Sequence, residues 1–81
     1  MQDTPLIVAR KGLGLSQSEM ARRVGLESKG FYSRIERDLE QPSVRVALAL
    51  ERETGVDAAS LNPEVAMVRA AGAVVGQDRA A

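Results

Sequence analysis

The sequence predicts an all-α protein, a compact bundle of about five helices, and three observations carry that prediction. Start and stop signals recur at short intervals: glycines at 12, 14, 25 and 55 alternate with candidate caps Ser16, Ser28, Ser43 and Asp57. Strand-like alternation is missing, and aromatic residues make up only 2% of the chain. Apolar residues fall at helical spacing, Met20, Ala21 and Val24 forming the clearest stripe.

Taken in order, the first helix starts at Thr4 with Pro5 in the favoured first position and runs to about Lys11, where Gly12 and Gly14 end it. Ser16 caps the second, and Glu19 three residues later completes a capping box. Gly25 stops that helix. Ser28 caps the third, which reaches about Arg37. "DLEQPS" reads as a loop, and Pro42-Ser43 opens the fourth helix. That helix is apolar around much of its girth from Ala47 to Leu50, so it belongs at the centre, and Gly55 ends it. Asp57 caps a short fifth helix, "AASL", closed by Asn62-Pro63. A short sixth helix is expected over 63–71, followed by a frayed tail, "GQDRAA". The short link between the second and third helices makes them a helix-turn-helix. The chain divides into that domain, residues 1–62, and an extension over 63–81 carrying a dimer contact and a flexible tail.

Composition narrows the function. The 81 residues contain neither cysteine nor histidine, which removes thiolate metal sites, disulfides and the commonest general base. No run approaches the ~20 apolar residues of a membrane span. Nor does the N-terminus resemble a secretion signal, so a cytoplasmic protein is expected. The net charge of zero conceals a division. Residues 1–37 hold seven Lys/Arg against four acids, and residues 38–81 hold four against seven. The first half suits a polyanion.

The third helix concentrates that charge. On a wheel with Lys29 at zero, Ser33, Arg37, Gly30 and Arg34 fall at about 40°, 80°, 100° and 140°. Phe31, Ile35, Leu39 and Tyr32 occupy the arc from about 200° to 300°, with Glu36 on its border near 340°. The outer arc is basic or small and holds no acid. A solvated face is the plain alternative, but such faces usually mix signs to gain about 0.3 kcal/mol per pair. The second helix also begins beside it, with free N–H groups near Ser16 and Gln17 that attract phosphate oxygens. A basic helix framed in this way matches the docking of such motifs in the DNA major groove.

The residues "LSQSEMARRVGL", "YSRIER", "PSVRVALAL" and "TGV" together resemble the Cro/repressor-type (Xre) helix-turn-helix family over roughly residues 6–61. The resemblance implies a lambda-repressor-like bundle that binds operator DNA as a dimer. It places Lys29, Gly30, Ser33 and Arg34 against base edges, and Ser16, Gln17, Ser28, Arg37 and Ser43 against the phosphate backbone. It also implies an ion pair between Arg10 and Glu36. Two departures stand out. The segment from Gly25 to Glu36 is one residue longer than the common pattern, and Asp38 stands where the family usually has glycine. Aspartate tolerates the left-handed backbone better than most residues.

The remaining motifs carry less. "KGLGLS" lacks the strand and lysine of a phosphate loop, and "GAVVG" is too short for a membrane helix pair. Glu51 and Glu53 lie on different helix faces, so no enzyme site assembles and no cofactor is expected. Leu61, Val65 and Val68 are either a dimer strip or a cover for helix 1 or 4. The expected function is a sequence-specific regulator of prokaryotic or phage type, binding a double-stranded operator as a homodimer without membrane attachment. Two alternatives stay open. One is an antitoxin or restriction-modification controller that also holds a partner protein, and the other is an interaction adaptor without DNA binding.

Overall fold

The computed structural model describes residues 3–71. Five helices follow one another: α1 (Pro5–Gly12), α2 (Gln17–Arg23), α3 (Lys29–Glu36), α4 (Val44–Thr54) and α5 (Ala58–Leu61). A further helical segment, α6, covers 64–71. Among the described residues there is no strand.

Each start has a side-chain cap, because the first turn of a helix leaves N–H groups without intrahelical acceptors. Thr4, Ser16, Ser28, Ser43 and Asp57 accept from the backbone two or three residues on. The capping box at α2 is complete: Ser16 Oγ accepts from the Glu19 N–H at 3.0 Å, and the Glu19 carboxylate accepts from the Ser16 N–H at 2.8 Å. Those contacts hold the Glu19 carboxyl below its ordinary pKa. Gly25, at φ 84°, makes the turn that lets α2 and α3 fold onto each other, and Leu26 N–H closes it on Ala21 O at 2.8 Å.

The main core gathers Leu6 from α1, Met20 and Ala21 from α2, Tyr32 and Ile35 from α3, and Val46, Ala49 and Leu50 from α4. The fourth helix is therefore central, as its apolar girth predicts. Truncating a side chain as completely buried as Leu50 typically costs about 2–5 kcal/mol. A second, smaller cluster joins Ala47, Ala58 and Val65, with Leu61 half-buried between the two.

One open alternative is decided and two expectations change. Val65 is fully buried against α4 and α5, so of strip and cover it is the cover. Phe31 and Leu39, read as inward-facing, are 38% and 60% exposed. The reason lies in where α3 stops. Asp38 adopts φ 60°, the only left-handed non-glycine among the described residues, so Leu39 leaves the helical wheel. Phe31 sits at the rim of the apolar arc, where Tyr32 and Ile35 already fill the interior.

Beyond α5, Asn62 is buried and donates to Pro42 O at 2.8 Å, tying the α5 exit to the α4 entry. Arg69 on α6 pairs with Glu51 and with Asp57, the latter at 3.2 Å. Hydrogen bonding with Arg69 leads the forces holding the Glu51 carboxyl below its ordinary pKa; for Asp57 the Ala59 N–H leads and Arg69 follows. The segment 64–71 thus packs on the bundle. The expected frayed tail and the "GAVVG" stretch lie outside the described residues.

Candidate nucleic-acid interface

The face of α3 is held in place by a carboxylate beneath it. Glu36, the last residue of α3, is 1% exposed and accepts from Arg10 Nε at 2.5 Å, Arg10 Nη2 at 3.4 Å and Gln17 Nε2 at 3.0 Å. Arg10 also donates to Leu15 O at 2.9 Å, and Thr4 Oγ donates to the backbone oxygen of Glu36 at 2.5 Å. One carboxylate therefore joins α1, the start of α2 and the end of α3. Burial alone would raise the Glu36 pKa, but the hydrogen bonds from Arg10 and Gln17 outweigh it and hold the carboxyl below its usual value. The same contact raises the Arg10 guanidinium. The buried Tyr32 hydroxyl has no hydrogen-bond partner among the described residues, and burial, followed by the neighbouring carboxylate, pushes its pKa up.

Above this hub lies the outer arc. Lys29, Gly30, Arg34 and Arg37 are exposed and Ser33 is half-buried. A Cβ built on Gly30 meets only Ser28 Oγ, at 3.5 Å, an ordinary contact. Gly30 is the second residue of α3, and among the described residues the packing leaves room for a side chain there. Arg37 Nε donates back to Ser33 O at 3.4 Å, and Arg34 reaches Glu40 in the α3–α4 loop at 3.4 Å. Glu40 is an acid the helical wheel does not show, because the left-handed turn at Asp38 brings it back alongside α3.

The backbone-facing candidates turn out to have structural duties as well. Ser16, Ser28 and Ser43 are all caps, at α2, α3 and α4. A serine hydroxyl that accepts can still donate to a phosphate oxygen. Gln17 spends one amide hydrogen on Glu36 and keeps another. The Gln17 and Ser18 N–H groups belong to the first turn of α2, which has no intrahelical acceptors for them. Of the dimer candidates, Leu61 is half-buried and Val68 is 48% exposed. Sequence reasoning overlooks the Gln17–Glu36 bond, the Arg34–Glu40 contact and the outward position of Phe31. None of the three carries a spacing signal.

Two helices joined by a tight turn, with an uncovered cationic arc on the second, define a helix-turn-helix DNA-binding domain. The helix-turn-helix family model matches residues 6–61, well over half of the chain. The protein belongs to the Cro/repressor-type (Xre) helix-turn-helix family, a family of DNA-binding regulators. Neither a curated protein nor a solved structure matches it. No helix among the described residues is long and apolar enough to cross a membrane.

Proposed function

We propose that this protein is a sequence-specific transcriptional regulator of prokaryotic or phage type that binds a double-stranded operator as a homodimer, with α3 in the major groove. The observation that carries the reading is the α3 arc itself: cationic and exposed around a glycine with open space above it. In the groove, Arg34 and Lys29 donate to guanine O6 and N7, Gly30 admits the bases close to the backbone, and Ser33 donates from the same face. Gln17, Arg37 and the cap hydroxyls of Ser16, Ser28 and Ser43 hold phosphates and fix the register. Few cations face the duplex, so a second protomer is needed to double the phosphate contacts, with half-sites about 34 Å apart. Because Leu61 and Val65 are occupied inside the protomer, Val68 and its exposed neighbour Met67 carry the dimer contact.

Selection from random duplexes, followed by a footprint on the DNA upstream of the gene, tests the reading. An enriched two-fold site and protection are expected, with affinity falling log-linearly in salt as counterions are released. Arg34→Ala should cost about 1–3 kcal/mol at a single base position and relax the preference there. No enrichment, or a salt slope near zero, would reject operator binding. Sedimentation of Met67→Asp/Val68→Asp tests the dimer, and an unaltered dimer would remove that interface.

A further inference from the structure

Phe31 is a partly exposed aromatic side chain that joins neither hydrophobic cluster among the described residues. It is 38% exposed, whereas the adjacent Tyr32 is wholly enclosed. It stands three residues before Arg34, and residues at that spacing are surface neighbours on a helix. Phe31 and Arg34 line one shallow depression with Gly30, Ser33, Arg37 and Glu40. The depression thus brings a phenyl ring, a glycine and the cations Arg34 and Arg37 to one surface.

We propose that Phe31 is a specificity-determining residue that packs against the 5-methyl group of a pyrimidine, next to the base contacted by Arg34. The inference rests on the DNA-binding reading above and deepens it. In the major groove the C5-methyl is the one apolar group a base edge presents, and it is recognised by apolar contact. A phenyl ring cannot hydrogen-bond to a base edge, so on this face it discriminates through burial alone. The methyl comes from thymine or from 5-methylcytosine, which present the same group to the groove.

The test uses the full chain and the duplex enriched by selection. Each thymine is replaced in turn by deoxyuridine, and each cytosine by 5-methylcytosine, and affinity is measured for wild type, Phe31→Ala and Phe31→Leu. Burial of one methyl-sized group corresponds to roughly a four-fold change in affinity. For wild type, such a loss at one thymine assigns the contact to thymine, and such a gain at one cytosine assigns it to the methylated base. Phe31→Ala should abolish that dependence and Phe31→Leu should retain part of it, and because each variant is compared with itself on methylated and unmethylated DNA, any loss of stability cancels. Wild-type binding indifferent to every methyl, or a dependence that survives in Phe31→Ala, overturns the proposal. A selection that enriches nothing instead defeats the DNA-binding reading beneath it.

Discussion

Replacing Glu36 by glutamine removes one charge and leaves the shape of the core intact. In the native protein the carboxylate is 1% exposed and carries Arg10 at 2.5 Å, while the Arg10 side chain is itself only 13% exposed. In Glu36→Gln the guanidinium stays nearly buried without its counter-charge, a change that costs about 3–5 kcal/mol in comparable pairs. Arg10 keeps its bond to Leu15 O and some water, so a loss near ~3 kcal/mol is expected. Native stability at this chain length is roughly 4–12 kcal/mol, so the loss should move the urea midpoint substantially. The pH dependence supplies the sign. The folded Glu36 pKa is depressed below its reference value of 4.5, so its contribution is fully present above 4.5 and is lost as pH falls through the lower folded value. The gap between wild type and Glu36→Gln should therefore be constant near neutrality and start to close below pH 4.5. Urea titrations from pH 7 downward read both quantities. A gap under ~1 kcal/mol at pH 7, the size of an exposed pair, would refute the view of Glu36 as a buried hub. So would a gap that does not close in acid.

Further outcomes follow from the same geometry. Asp38→Gly should stabilise the domain by up to ~1 kcal/mol in urea melts, because it relieves a left-handed side-chain residue. Glu40→Gln releases Arg34 from a competing acid, and an exposed pair worth about 0.2–1 kcal/mol predicts up to about five-fold tighter binding to the selected duplex. Titration of selected and scrambled DNA checks that the gain is larger on the selected one. Gln17→Ala should weaken binding to every sequence equally and also lower stability by about 1 kcal/mol, since its amide bonds Glu36 as well. A binding loss without any stability loss would show that the bond to Glu36 contributes nothing to the fold.

Local chemistry makes most of this fold legible in advance. Caps at Thr4, Ser16, Ser28, Ser43 and Asp57 and stops at Gly25 and Gly55 are short-range signals, and the helix bounds follow them closely. The Arg10–Glu36 pair joins residues 26 apart and is visible in sequence only through the family resemblance. Contacts of the second kind fail from periodicity for definite reasons. The wheel assumes an unbroken helix, and the left-handed Asp38 breaks it, bringing Glu40 to Arg34 and turning Leu39 outward. An apolar arc does not say which of two aromatics the interior has room for, so Phe31 and Tyr32 look alike until packing separates them. Val65 reads equally as strip or core, and only the small facing residues Ala47 and Ala58 decide in favour of the core.

The anchorage at Glu36 has an evolutionary corollary. Because the three helices are clamped from below, the outward positions 29, 30, 33 and 34 lie outside the buried clusters that hold the bundle together. Such positions can be exchanged in combination while the chassis stays put. Libraries randomised there should yield folded proteins with altered target preferences at high frequency, whereas libraries touching positions 10 or 36 should yield proteins of markedly lower stability.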